Sequence, residues 1–174
     1  MKAVRGILAA VIVLILAGIA FVYSGIYNVA ASVPHNPVSA WILSTTMQRS
    51  VAMHADHAAA PQLTDAQAHE GYRFYSETCI YCHGAPGRDP SDIGKGLNPE
   101  PPYLPDTAGH WTSEELFWIV KNGIKMTGMP AFGSTHKDDE IWNVVAFVQR
   151  LPKMTPEQFN QIEHESNASG EPSH

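Results

Sequence analysis

Cys79, Cys82 and His83 form the pattern C-x-x-C-H, which is the most chemically specific feature of the sequence. The pattern is typical of covalent haem attachment, in which two thiols bond to the vinyl groups of one haem and the adjacent histidine reaches the iron. A redox dithiol or half of a zinc site would also use C-x-x-C. The chain has two cysteines in all, so a second zinc-binding pair is missing, and no βαβ pattern surrounds the motif. We therefore predict one covalently bound haem c on Cys79 and Cys82, with His83 as an iron ligand.

A methionine downstream is the candidate for the second axial ligand. An iron bound by one histidine needs another protein ligand if it is to transfer electrons rather than bind small molecules. Met129 lies 46 residues after His83, in a predicted loop, and Pro130 biases it towards extended backbone. Met126 is the alternative, and an open or differently filled position is a third interpretation. We predict His83 and Met129 as the axial ligands, with Met126 as the fallback.

The charge of the chain excludes one class of function. Its 174 residues include 11 basic and 17 acidic side chains, a formal net charge of −6. Lys2 and Arg5 are the only charged residues before Arg49, so the sequence beyond them carries a net charge of −8. Binding of nucleic acid through bulk positive charge is therefore excluded. The length predicts one folded domain with appendages.

The N-terminal segment is apolar enough to cross a membrane. Residues 6–27 carry no charge, and as a helix they would measure about 33 Å, close to the roughly 30 Å of a bilayer core. Because Lys2 and Arg5 precede this segment, the positive-inside rule predicts that residues 1–5 are cytoplasmic and that the following domain is periplasmic, on a bacterial inner membrane. The alternative is a cleaved signal peptide, since residues 29–31 resemble a cleavage site.

Three further regions follow the predicted transmembrane anchor. Residues 28–63 are predicted to form a periplasmic connector, because prolines punctuate it and charged residues are few. Residues 64–152 have the pattern of a compact helical domain with a long loop rich in glycine and proline. Residues 153–174 are predicted to form a short helix and, from Ser166 onward, a flexible tail.

Capping signals predict where the helices of these regions begin. Asn36 before Pro37 indicates a short helix within the connector. Capping boxes that start at Thr64 and Thr112 open two helices of the domain. The acidic residues 138–140 favour the start of a third helix.

Two histidines of the connector suggest a second metal. His54 and His57 share a helical face, and the nearby Met47 and Met53 would add thioether ligands suited to copper. In an alanine-rich connector such side chains are more often simply solvated. Copper binding is therefore kept as the less favoured alternative.

The order of these motifs carries a family resemblance. Residues 64–152 resemble the class I c-type cytochromes, which are single-haem electron carriers. The shared order is a helix ending in C-x-x-C-H, a proline-rich loop, a helix running into Gly123, the Met129 segment and the C-terminal helix 140–147. The resemblance implies an all-α class I cytochrome c fold, with three to five helices around one covalently bound haem, here preceded by a transmembrane helix.

The resemblance also implies roles for individual residues. Gly71, Tyr75 and Phe147 would lie where the first and last helices of the domain cross. A backbone carbonyl of residues 97–102 would accept the Nδ1 proton of His83 and fix its ring.

Three functions are compatible with these features. The favoured one is one-electron transfer by a membrane-tethered periplasmic cytochrome that is not itself an enzyme. Its partners would be membrane-embedded or periplasmic redox proteins: a quinol-oxidising complex or dehydrogenase as donor and a terminal oxidase as acceptor. The second is a permanent haem subunit of a larger redox enzyme. The third is a haem sensor or peroxidase, which requires a displaceable sixth ligand.

Overall fold

The computed structural model describes residues 2–55 and 60–168, and its regular structure over these ranges is helical. The chain divides into two compact units, Met1–Val33 and Pro34–His174. The predicted all-α fold class is confirmed. His57 and most of the predicted flexible tail lie outside the described residues, and the tail's first residues, 166–168, are helical.

The first unit contains helix α1, Lys2–Tyr23. With 22 residues, most of them apolar, it is long and apolar enough to cross a membrane. The helix begins and ends four residues earlier than the predicted span 6–27. It ends at Tyr23 because Ser24 turns back, its hydroxyl donating to the Phe21 carbonyl at 2.7 Å, and Gly25 then takes a φ of +68°, which ends a helix readily.

The second unit begins with helix α2, Pro37–His54. The Asn36 side chain accepts the backbone N–H of Ser39 at 3.0 Å, so this helix starts where the capping signal predicts. Val51 near its C-terminal end is buried, and α2 packs against the later helix α7, Ser113–Asn122. The connector is thus partly a packed element of the second unit.

Three consecutive helical segments then lead to the C-x-x-C-H motif. Helix α3, Asp65–Phe74, starts at the Thr64 capping box. A π-helical turn, Tyr75–Cys79, and helix α4, Ile80–His83, continue it. Gly84, with a φ of +65°, ends this path.

The remaining helices and 3₁₀ turns complete the second unit. They are α5 (Asp92–Lys95), α6 (Leu104–Thr107), a 3₁₀ turn (Ala108–His110), α7 (Ser113–Asn122), a 3₁₀ turn (Phe132–Ser134), α8 (Asp138–Val148), a 3₁₀ turn (Leu151–Lys153) and α9 (Pro156–Ala168). Helix α7 starts at the predicted Thr112 capping box.

Helices α3 and α8 cross at close range and form the centre of the core. A Cβ atom at Gly71 would overlap the backbone carbonyl of Asn143 on α8, so this crossing requires glycine. Tyr75, Phe147 and Phe159 of α9 are almost fully buried beside it, with the Tyr75 and Phe147 ring centroids 5.2 Å apart. Core packing therefore continues past residue 152, where the motifs of the domain end.

Candidate functional site

The residues of the C-x-x-C-H motif lie on the last two turns of the α3–α4 path. Cys79 ends the π-helical turn, and Cys82 and His83 lie on α4. Both thiols are free and half-buried, so the two cysteines do not form a disulfide with each other. Successive helical turns thus present two thiols and one imidazole within five residues.

The His83 ring is oriented by a residue nineteen positions away. Its Nδ1 lies 2.8 Å from the backbone carbonyl oxygen of Pro102, as the resemblance implies. Because a carbonyl only accepts hydrogen bonds, Nδ1 carries the proton and Nε2 keeps its lone pair. Burial lowers the pKa of His83, and the hydrogen bond to Pro102 opposes this only in part. The imidazole is therefore neutral and offers Nε2 as a ligand.

Hydrogen bonds to backbone carbonyls hold the motif in place. The Tyr75 hydroxyl donates to the Gly84 carbonyl at 2.6 Å, and the Ser91 hydroxyl donates to the Tyr81 carbonyl at 2.7 Å. Gly94 of α5 lies so close to Cys82 that a Cβ atom there would be 2.9 Å from the Cys82 Cα. The helix end that carries the motif is therefore supported from several elements.

Met129 lies in a tightly hydrogen-bonded loop after α7. Gly123 has a φ of +65°, and a Cβ atom at this position would be 2.7 Å from the Met129 carbonyl oxygen. The Ile124 N–H donates to that carbonyl at 3.2 Å. The Met129 N–H donates to the Thr127 hydroxyl oxygen at 3.1 Å, and this hydroxyl donates to the Ile124 carbonyl at 2.8 Å. Both backbone polar groups of Met129 are thus bonded within its own loop.

The structure separates the two candidate methionines by their environment. Met129 is half-buried and packs against the hydrophobic core. Met126 is 81% exposed and has a φ of +61°, which is unusual for a residue other than glycine. Because Met129 packs against the core and Met126 is exposed, the environment favours Met129 as the candidate ligand.

The methionine loop also meets the loop that follows the C-x-x-C-H motif. A Cβ atom at Gly128 would be 2.6 Å from a terminal carbon of Leu97, so glycine allows this close approach. The residues present fit a c-type haem: two thiols, an imidazole with a free Nε2, a half-buried thioether and apolar neighbours.

One known protein family matches the part of the chain that contains the C-x-x-C-H motif and Met129. Residues 66–148 match the family model described as cytochrome c oxidase, cbb3-type, subunit III. This stretch is a class I c-type cytochrome domain. Haem c is the cofactor of such domains, and they function in haem-based electron transfer.

A solved structure shares similarity with part of the chain. It is a chain of the reducing HAO-like protein complex of Kuenenia stuttgartiensis, with 22% sequence identity and a TM-score of 0.48. The similarity covers 55% of this chain and 48% of that chain, so this chain spans about half the length of that protein. No curated protein matches the chain significantly.

The structure gives little support for copper at the connector. His54 is exposed, its Nδ1 lies 2.8 Å from the Ser50 carbonyl oxygen, and its ring centroid lies 5.9 Å from that of Trp118 on α7. His57 falls outside the described residues. Within the ranges that the structure describes, no group of three or more His, Cys, Asp or Glu side chains is arranged to hold a metal ion.

Two supporting interactions of the cytochrome domain escape the sequence motifs. Thr127 bonds to Met129, and a threonine two residues before a predicted ligand is only a weak turn signal. Arg88 forms hydrogen bonds with Glu163 and Asn160 of α9 and lies over the Phe159 ring, its Cζ 5.1 Å from the centroid. No local pattern connects Arg88 with residues more than 70 positions away.

Proposed function

We propose that the protein is a single-haem electron carrier that α1 anchors to a membrane. In this proposal Cys79 and Cys82 hold one haem c through two thioether bonds, and His83 and Met129 are the axial ligands of its iron. The observation that carries the proposal is the hydrogen bond from His83 Nδ1 to the Pro102 carbonyl. It fixes the imidazole beside both thiols with Nε2 available.

Each part of the chain has a defined task in this function. A haem c held here supplies one reversible one-electron step between ferric and ferrous iron. The bond to Pro102 fixes the ring and raises the basicity of His83. The hydrogen-bonded loop presents Met129 in one conformation, and a thioether ligand favours the ferrous state relative to a second imidazole. Fixed ligands keep the structural change on electron transfer small.

The proposed anchor also implies a location for the carrier and the kind of partners it would meet there. In this proposal Lys2 and Arg5 are cytoplasmic, and by the positive-inside rule the cytochrome domain is on the periplasmic side of a bacterial inner membrane. The proposed donor is a quinol-oxidising complex or a dehydrogenase, and the proposed acceptor is a terminal oxidase. Confinement to the membrane raises the effective concentration of the carrier near such partners.

A second candidate is a permanent haem subunit of an oxidase. The observation that favours it is the family model itself, which is named for a subunit of a cbb3-type oxidase. Size-exclusion chromatography of a mild-detergent extract distinguishes the two functions, because a carrier elutes as a monomer and a subunit elutes with its complex.

The haem site is tested with matched methionine variants. We expect one haem per chain that denaturants do not extract, and its loss when Cys79 and Cys82 are both replaced by alanine. The far-red charge-transfer band of methionine-ligated ferric haem should disappear in Met129→Ala and persist in Met126→Ala. The opposite pattern would make Met126 the ligand, and absence of the band from the unmodified protein would favour a sensor or peroxidase.

A further inference from the structure

Helix α2 has apolar residues on two opposite faces, and the cytochrome domain covers only one of them. On the inner face Val51 is fully buried and Met47 is half-buried, where α2 packs against α7. A helix that is apolar on both faces requires two apolar neighbours. The outer face therefore needs a second one.

The apolar residues of the outer face lie in the N-terminal half of α2. Val38, Trp41 and Ile42 follow one another at helical spacing on this side, and they are 65%, 66% and 49% exposed. Arg49 lies farther along the same side at about 100° per residue. We call these four residues the outer face. Three large apolar side chains beside each other on a solvent-exposed helix mark an interaction site.

The distribution of charge indicates what covers this face. No acidic residue occurs from residue 1 to residue 55, and Arg49 is the only charged residue of α2. Residues 60–168 contain eight basic and fifteen acidic residues, a net charge of −7. Anionic lipid headgroups repel the acidic domain and attract Arg49. The outer face is thus the part of this unit that is suited to a bilayer surface.

The segment that joins α1 to α2 is short enough to let α2 reach a bilayer surface. Thirteen residues, 24–36, separate the two helices, and fully extended they reach at most about 45 Å. Helix α2 is about 27 Å long, and a tryptophan at its apolar end is typical of residues at the headgroup level.

We propose that α2 lies along a bilayer surface, with Val38, Trp41 and Ile42 inserted at the boundary between headgroups and acyl chains. The proposal rests on the proposed anchoring by α1. Because α7 packs on the opposite side of α2, such a helix sets the height and orientation of the cytochrome domain above the membrane. The anchor alone would leave both free.

The test uses the full-length haem protein in nanodiscs of phosphatidylcholine and phosphatidylglycerol. A spin label is placed at Ile42→Cys or, as a matched control, at Ser44→Cys, which is also exposed and lies about 200° farther around the helix. The haem is kept reduced and diamagnetic. We expect the label at position 42 to lose access to a water-soluble nickel complex several-fold and to gain access to oxygen, whereas the label at position 44 stays accessible to nickel.

A second measurement needs no label. Brominated lipids should quench part of the tryptophan fluorescence of the unmodified protein, and this part should be lost in Trp41→Phe. Full nickel access at position 42 in an anchored chain would overturn the proposal. The proposal would also be overturned if the label at position 42 were accessible to nickel in nanodiscs but protected in native membranes, because a protein partner would then cover the outer face. A chain that leaves the nanodiscs altogether would instead refute the anchoring by α1, and the surface helix with it.

Discussion

The hydroxyl of Thr127 offers a direct test of how the chain holds Met129. It accepts the Met129 N–H at 3.1 Å and donates to the Ile124 carbonyl at 2.8 Å. Thr127→Val keeps the shape of the side chain but leaves both backbone groups without this partner. An unsatisfied polar group in a buried place costs about 1–3 kcal/mol, and the lower part of that range applies because the loop is half-buried. We take about 1–2 kcal/mol as the weakening of the methionine-bound conformation.

Imidazole competition measures this weakening on the proposed haem protein. Imidazole added to the ferric protein displaces Met129 from iron, and its apparent affinity reports how firmly the loop holds the ligand. A loss of about 1–2 kcal/mol corresponds to an affinity for imidazole about 5–30-fold higher. The far-red charge-transfer band should also weaken in Thr127→Val. Thr127→Ser keeps the hydroxyl and should restore both properties.

The control for this experiment is Thr135→Val. The Thr135 hydroxyl donates to the Phe132 carbonyl at 3.2 Å but makes no bond to Met129, so imidazole affinity should stay unchanged. Equal imidazole affinities for Thr127→Val and the unmodified protein would refute the reasoning. A serine variant as weak as the valine variant would also refute it, because the effect would then come from packing rather than from the hydroxyl.

Three further variants test the core, the C-terminal helix and the choice of ligand. Gly71→Ala forces a Cβ into the backbone of α8, and thermal unfolding should show a loss of more than about 3 kcal/mol. Arg88 lowers the pKa of Glu163 by hydrogen bonding, so the pair stabilises the fold above the ordinary carboxyl value of 4.5 and this contribution disappears as pH falls through the lower folded value. Glu163→Gln should therefore cost about 1 kcal/mol at neutral pH in denaturant titrations and nothing in strong acid. Met126→Leu should leave the midpoint potential unchanged, because this side chain is exposed.

Each of these expectations has a contrary result. The close crossing of α3 and α8 would be contradicted if Gly71→Ala unfolds at the same temperature as a control variant that carries a new alanine at an exposed position of α3. A stability difference for Glu163→Gln that persists in acid would show that packing, not charge, is involved. A shifted potential in Met126→Leu would reopen the choice of axial ligand.

Local signals in the sequence predict the helix starts and the motif, because these depend on neighbouring residues. The capping boxes at Thr64 and Thr112 begin α3 and α7 as expected, since the bonds that form them span three positions. The C-x-x-C-H spacing likewise indicates its own chemistry. The resemblance adds the partner of His83, which is too distant for any spacing argument.

Contacts between distant parts of the chain could not be predicted in the same way. The π-helical turn that ends at Cys79 and the burial of Phe159 depend on how α3, α8 and α9 pack. The sequence does not show that Met126 is exposed and Met129 is half-buried, whereas the structure does. The outer face of α2 is visible only when the domain is seen to cover the other face.

Helix α9 has a consequence for the order in which the domain matures. Phe159, which is fully buried against Tyr72 and Phe147, follows His83 by 76 residues. Synthesis proceeds from the N-terminus, so the two cysteines leave the ribosome long before the core can close. An unfinished chain therefore cannot yet pack Tyr72 and Phe147 against Phe159, and the core beside the C-x-x-C-H motif is completed only when the C-terminal segment arrives.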